Sequence, residues 1–265
     1  MFGERKRWQK SLVRVSRQML DVHRIRKCFG GITAVDDVSF TVQTHSITGL
    51  IGPNGSGKTV TFNLITGLSY LETGVIRFQG GRLSGLPPYE ITRRGIGRTF
   101  QNLKVFSEFS VEENLFVMGQ PRDMRRCASS IFRRSRSIAS GTKVEELLRL
   151  VNLWDKREEP AGSLSYGQQK LLSFVALMAM RPEPELILLD EPMAGVNPTM
   201  ITTLVRLIRS FREGGKTFLI IEHDMRVVMD LCDTIVVLDH GRKIEEGPPD
   251  KIQRSERVIE AYFGH

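Results

Sequence analysis

Residues Gly52–Thr59 read GPNGSGKT and lie between an apolar run, Ser46–Ile51, and a helix-compatible stretch, Val60–Leu68. A triphosphate-binding loop requires this strand–loop–helix setting. Gly52, Gly55 and Gly57 let the backbone turn where a Cβ would block it, so that successive N–H groups, those of Asn54 and Ser56 included, converge on phosphate oxygens. The following helix aims the positive end of its dipole at the same point. Lys58 is long enough to reach the β- and γ-phosphates, and the Thr59 hydroxyl is placed to coordinate Mg²⁺. Val60 stands where a second hydroxyl often follows, which removes one hydrogen bond, about 1 kcal/mol, from the phosphate grip.

Two further stretches carry chemistry. Leu186–Pro192 read LILLDEP, an apolar strand delivering two carboxylates at its C-terminal end, where open α/β sheets bind ligands. Asp190 is suited to hold Mg²⁺ through water; Glu191, pointing the other way along the pleat, is suited to polarise an attacking water as general base. Leu164–Gln169 read LSYGQQ before an apolar helix, Lys170–Met180. There Ser165 and the backbone N–H groups of residues 166 to 168, including Gly167 and Gln168, form a second helix-start anion site. One ATP does not need two such sites in one chain. Two chains facing head to tail use both, the Ser165 loop of each closing over the nucleotide held by the other.

Around these motifs, Asp21–Ile25, Val38–Val42 and Val75–Phe78 predict a small sheet layered on the nucleotide core. Phe29, between the first two strands, is placed either to stack on an adenine ring or to pack in that core. From Asn102 to Pro160 the pattern turns helical and charged, and Lys143–Trp154 puts Val144, Leu147, Leu148, Val151 and Leu153 largely on one stripe. A helical lobe over about residues 102–180 is expected. The chain then alternates short apolar strands (Leu186–Leu189, Thr217–Ile221, Ile235–Leu238) with helices (Met200–Arg212, Met225–Leu231), the signature of a parallel sheet with helices on its faces.

At 265 residues the chain accommodates one nucleotide-binding core with a satellite subdomain, not two independent ones. No apolar stretch approaches membrane-spanning length and the N-terminus lacks a secretory core, so a cytoplasmic protein is expected. Cys28, Cys127 and Cys232 fall in no metal-ligand pattern and read as reduced thiols. The net charge of +8 is concentrated: residues 1 to 20 and 122 to 136 each carry +5, leaving the rest of the chain at −2. Two local clusters fit acidic lipid headgroups or the cytoplasmic side of a membrane protein at least as well as DNA; a solvated loop and tail is the competing reading. Within the basic extension, residues 1–18, Trp8, Leu12 and Val15 recur at near-helical spacing together with Met19. A surface-lying amphipathic helix competes there with a poorly ordered extension before a domain covering 19–265.

The order GPNGSGKT, Gln101 within RTFQNL, LSYGQQ, LILLDEP, AGVNP and His223 within IIEHD resembles the ATP-binding subunits of ABC transporters over nearly the whole length from Met19 onward. The resemblance implies an α/β fold: a P-loop NTPase, RecA-like core with a parallel sheet, a small antiparallel β subdomain and an α-helical subdomain. It implies that Gln101 touches Mg²⁺ and the attacking water, and that His223 is the switch histidine contacting the γ-phosphate. GIGRTFQNLKVFSEFSVEENL, Tyr166 in place of a signature glycine, Asn197 where many members have Asp, the arginine-bearing insert near 119–142 and the closing IEAYFG resemble the ATPases of high-affinity branched-chain amino-acid importers and their amide or urea relatives. The implied partners are a second ATPase subunit (identical or related), transmembrane permease subunits and, indirectly, an external solute-binding protein, with no nucleic acid. The implied place is the cytoplasmic face of the inner membrane. An exporter ATPase, or a soluble ABC ATPase without a transport role, is the alternative.

Overall fold

The computed structural model describes residues 18–99, 105–119 and 138–264. The basic extension with its amphipathic pattern, Gln101, Cys127 and most of the arginine-bearing insert lie outside the described residues. Among the described residues ten strands fall into two sheets. An antiparallel sheet holds β1 (Gln18–Phe29), β2 (Ile32–Gln43), β4 (Thr73–Phe78) and β5 (Gly81–Arg82) in the order β2-β1-β4-β5. A six-stranded sheet, order β10-β9-β3-β8-β7-β6, holds β3 (Ile47–Ile51), β6 (Ile96–Arg98), β7 (Leu186–Asp190), β8 (Thr217–Ile221), β9 (Thr234–Asp239) and β10 (Arg242–Gly247). Among the described residues only its β10 edge pairs antiparallel.

The inner strands read as unbroken apolar runs because both of their faces are covered. Alternate residues supply two different cores. Ile187 and Leu189, Phe218 and Ile220, and Ile235 and Val237 join the core beneath the helices; Leu186 and Leu188, Leu219 and Ile221, and Val236 and Leu238 join the core under the antiparallel sheet. The first core includes α3 (Val111–Gly119), α4 (Ile138–Leu150) and α5 (Tyr166–Ala179), and all five stripe residues read from the sequence around 144 to 153 are buried in it. The second receives Phe62, Leu64 and Ile65 from α1 (Lys58–Ile65), the helix that follows the phosphate loop. A short α2 (Pro88–Arg93) packs on this side through Ile91. Among the described residues four further helices follow: α6 (Pro198–Glu213), α7 (Met225–Leu231), α8 (Pro249–Gln253) and α9 (Glu256–Phe263).

Register fixes where the chemistry collects. Asp190 and Leu50 both lie opposite Ile221, so the C-terminal ends of β3, β8 and β7 stand level. The phosphate loop leaves one of these ends, His223 follows the second, and Glu191 follows the third.

Candidate active site

The phosphate loop is shaped by close backbone approach. A Cβ on Gly52 (φ +148) would stand 2.0 Å from the Leu238 carbonyl oxygen, and one on Gly57 (φ +99) 2.5 Å from that of Ala34. Side chains there would push the loop off the β3 and β9 ends and off β2. Asn54 and Gly55 are exposed at the loop crest, Ser56 is buried, and Thr59 and Val60 sit exposed and half-buried at the start of α1. Lys58 is buried, and its Nζ donates to the carbonyls of Gly52 (2.7 Å) and Pro53 (2.8 Å). Burial pulls its pKa down, opposed by Glu191 and Asp190. A partly desolvated ammonium among carbonyl dipoles is a strong attractor for phosphate oxygen.

Asp190 ends β7 buried. Its Oδ2 accepts from Arg98 Nη2 at 2.9 Å, while its Oδ1 is buried without a hydrogen-bond partner. Burial pushes this carboxyl up, against the opposing pull of Arg98. Arg98 also donates to Asn63 Oδ1 (2.8 Å) and Thr66 Oγ1 (3.1 Å), tying the carboxylate to the helix after the phosphate loop. Glu191 adopts the left-handed φ of +49, a conformation costing a non-glycine residue on the order of 1 kcal/mol or more. Its Oε1 lies 2.7 Å from His223 Nε2. The turn is pinned by Glu191 N–H on the Ile221 carbonyl (3.0 Å) and by Glu222, whose buried carboxylate accepts from the Met193 (2.7 Å) and His223 (2.9 Å) amides.

The LSYGQQ motif opens α5. Ser165 is its N-cap, and the cap is reciprocal: Ser165 Oγ accepts from the Gln168 amide (3.4 Å) while Gln168 Oε1 accepts from the Ser165 amide (3.0 Å). Gly167 and Gln168 are half-buried and Tyr166 is exposed on the first turn. Asn197 caps α6 by accepting from the Met200 amide at 2.9 Å. Its amide oxygen therefore serves the helix as a carboxylate would, without the charge. Phe29, at the end of β1, is 49% exposed with Lys27 Nζ 5.0 Å from its ring centroid, so ordinary core packing does not account for it.

The structure thus brings Lys58, Asp190, Glu191 and His223 to one end of the sheet. Arg98, Glu222 and Lys170 (whose Nζ donates to carbonyls of the Glu191 turn) were given no role from sequence. Arg98 and Glu222 stand inside the quoted motifs RTFQNL and IIEHD and Lys170 directly follows LSYGQQ, which is the only signal that could have found them.

Residues 35–194 match the family model described as ABC transporter. The chain belongs to this family. Residues 242–265 match a second model, described as branched-chain amino acid ATP-binding cassette transporter. The high-affinity branched-chain amino acid transport ATP-binding protein BraF of Pseudomonas aeruginosa is 38% identical, over 94% of this chain and 99% of that protein. LivG of Escherichia coli, carrying the same description, is 37% identical over 94% and 99%. The lipopolysaccharide export ATP-binding protein LptB of Haemophilus influenzae is 32% identical over 93% and 97%. Among solved structures, a nucleotide-free ATP-binding cassette from an ABC transporter superposes with a TM-score of 0.81 at 30% identity, covering 94% of this chain and 100% of that one. The ADP conformation of the cassette MJ1267 gives 0.80 at 32% identity, covering 94% and 99%. This ABC cassette binds nucleotide and is an ATPase whose hydrolysis is coupled to transport. Among the described residues no helix is long and apolar enough to cross a membrane.

Proposed function

We propose that this cassette powers uptake of branched-chain amino acids, or of related small polar solutes, through a separate membrane permease whose cytoplasmic side it occupies. The observation that carries the reading is the match of the C-terminal residues 242–265 to the branched-chain amino acid cassette model, in a chain whose 37–38% identical relatives carry that description end to end. Two chains, identical or related, face head to tail. Gly52–Val60 of one cradle the triphosphate, Phe29 stacks on the adenine, and Ser165, Gly167 and Gln168 of the other cap it.

Within that pocket Lys58 leaves its carbonyl partners for the β- and γ-phosphates, and Glu191 accepts a proton from the attacking water. His223, already within hydrogen-bond distance of Glu191, orients that carboxylate and reports the γ-phosphate. Gln101 is assigned to the same water from the sequence resemblance. The donor set fits Mg²⁺: Asp190 keeps one buried carboxylate oxygen without a partner, beside a loop ending in the Thr59 hydroxyl. Thr59, Asp190 and Gln101 would hold the ion, which supplies charge neutralisation on the phosphates.

Reconstitution with the co-purifying membrane complex in proteoliposomes tests this. Leucine accumulation that requires internal ATP, with ATPase stimulated by the complex and by no nucleic acid or ribosome, is expected. Stimulation without amino-acid uptake, or outward transport only, would overturn the import reading.

A further inference from the structure

Lys170 stands one helical turn beyond the Ser165 cap and is buried at 9% exposure. Its ammonium donates to three carbonyls of a single turn: Glu191 (3.3 Å), Pro192 (3.2 Å) and Ala194 (2.5 Å). That turn is the one in which Glu191 holds its left-handed φ, and it closes at Gly195, also left-handed at φ +72. Three carbonyl dipoles pointing at one buried spot repel each other unless a cation sits there. Tyr166, at the i−4 position of the same helix face, completes the contact. Its ring lies 5.4 Å from Lys170 Nζ, and a Cβ on Gly195 would stand 3.2 Å from its Cε1. Burial pulls the Lys170 pKa down, opposed by Glu222, which pins the turn from the β8 side through the Met193 amide, and by Glu191.

We propose that Lys170 is a positioning residue that locks the Glu191 turn to the first turn of α5, so that the capping end of the chain and its general base move as one body. The inference rests on reading Glu191 as the base and the Ser165 loop as the cap of the partner's nucleotide. In a head-to-tail pair these two ends of one chain serve different nucleotides. Lys170 is then a link within one chain through which closure over one nucleotide sets the carboxylate at the other, and the link is a bundle of backbone carbonyls rather than a side-chain relay.

The test compares full-length wild type with Lys170→Met, Lys170→Arg and Glu191→Gln, measuring kcat, KM and Hill coefficient for ATP hydrolysis, and equilibrium binding of a fluorescent ATP analogue. Lys170→Met is expected to lower kcat roughly 10- to 100-fold, the scale of an ångström-level misplacement, with analogue affinity within about twofold and the Hill coefficient falling to about 1. Lys170→Arg, which keeps charge and donors, restores most of the rate. If Lys170→Met retains wild-type kcat and cooperativity while Glu191→Gln is inactive, the positioning role is overturned. Undiminished hydrolysis in Glu191→Gln instead removes the underlying reading. Should Lys170→Met fail to bind the analogue, Lys170→Gln decides: the proposal requires it to fall at least about fivefold below Lys170→Arg in kcat, and equal rates for glutamine, arginine and lysine overturn it.

Discussion

The cradle and the cap of the nucleotide machinery are built by opposite means. Lys58 and Asp190 are buried, and each is engaged by bonds inside its own chain: Lys58 by the loop carbonyls, Asp190 by Arg98, which in turn grips α1. Beneath them the two cores meet across the parallel strands, so the cradle's shape is set by packing and persists in a single chain. Ser165 and Tyr166, by contrast, are exposed, and the cap's donors at 165 and 168 close on each other. In the proposed head-to-tail pair this helix end is the cap, and its ligand arrives on another chain. Perturbing the cradle should therefore change what one chain does with ATP, whereas perturbing the cap should change what two chains do together.

The largest separation is expected at Glu191. Removing the charge with Glu191→Gln keeps size and the left-handed turn, so ATP binding and dimer closure survive. Turnover falls by roughly 10² to 10⁴, the usual contribution of a positioned base. Size-exclusion chromatography with ATP should show an accumulated dimer beside this lost hydrolysis. A mutant that hydrolyses normally would break the assignment of Glu191 and leave the cradle without its base.

Lys58→Ala acts on binding itself. Loss of a charge-assisted grip of about 1.5–3 kcal/mol predicts nucleotide affinity weaker by about 10- to 150-fold in equilibrium titration, and the fold should tolerate it because the loop glycines, not the lysine, set the backbone. Wild-type affinity in this variant would show that backbone amides alone hold the phosphates.

Much of the cradle was legible in the sequence because its parts are local. Thr217–Ile221 emerges at the expected limits and Leu186–Asp190 extends the expected strand by one residue, since a strand buried on both faces has no polar interruption to blur its ends; the helix Met225–Leu231, capped by Asp224, also keeps its expected limits. The stripe at 143–154 rests on its apolar residues, yet α4 starts earlier, at Ile138, and ends at Leu150, and the chain turns at Asn152, φ +55, before Leu153. Edge strands left no pattern. β6 has three residues and β10 reads RKIEEG, because an edge needs neither length nor apolar faces. Arg98 and Lys170 escaped for a related reason. Their partners lie 92 and more than 20 residues away, and a basic residue beside a motif reads as a solvated charge until the fold closes over it.

On the cap side, Ser165→Ala removes both the helix cap and a donor toward the partner's nucleotide. The bond from the Gln168 amide is long at 3.4 Å, which places the stability loss toward the low end of the usual 0.5–2 kcal/mol range, about 1 kcal/mol or less. The chain's own nucleotide affinity should be unchanged while ATP-dependent dimerisation weakens, a split that sedimentation and titration on the same sample can resolve. Equal losses in both would erase the contrast between cradle and cap.

The smallest effect concerns Asn197, which caps α6 through its side-chain oxygen. Asn197→Asp keeps that acceptor and adds a negative charge to the positive end of a sixteen-residue helix. The dipole term favours it by about 0.3–1 kcal/mol at low salt, and less as ions screen it. Asn197→Ala, which deletes the acceptor, should cost about 1 kcal/mol. Urea unfolding at two ionic strengths separates the contributions: aspartate above asparagine at low salt and converging on it at high salt, with alanine below both at either. If aspartate destabilised α6 at low salt, the cap seen here would not be what fixes this residue. The charge that asparagine lacks would then have to be judged by its effect on the second chain.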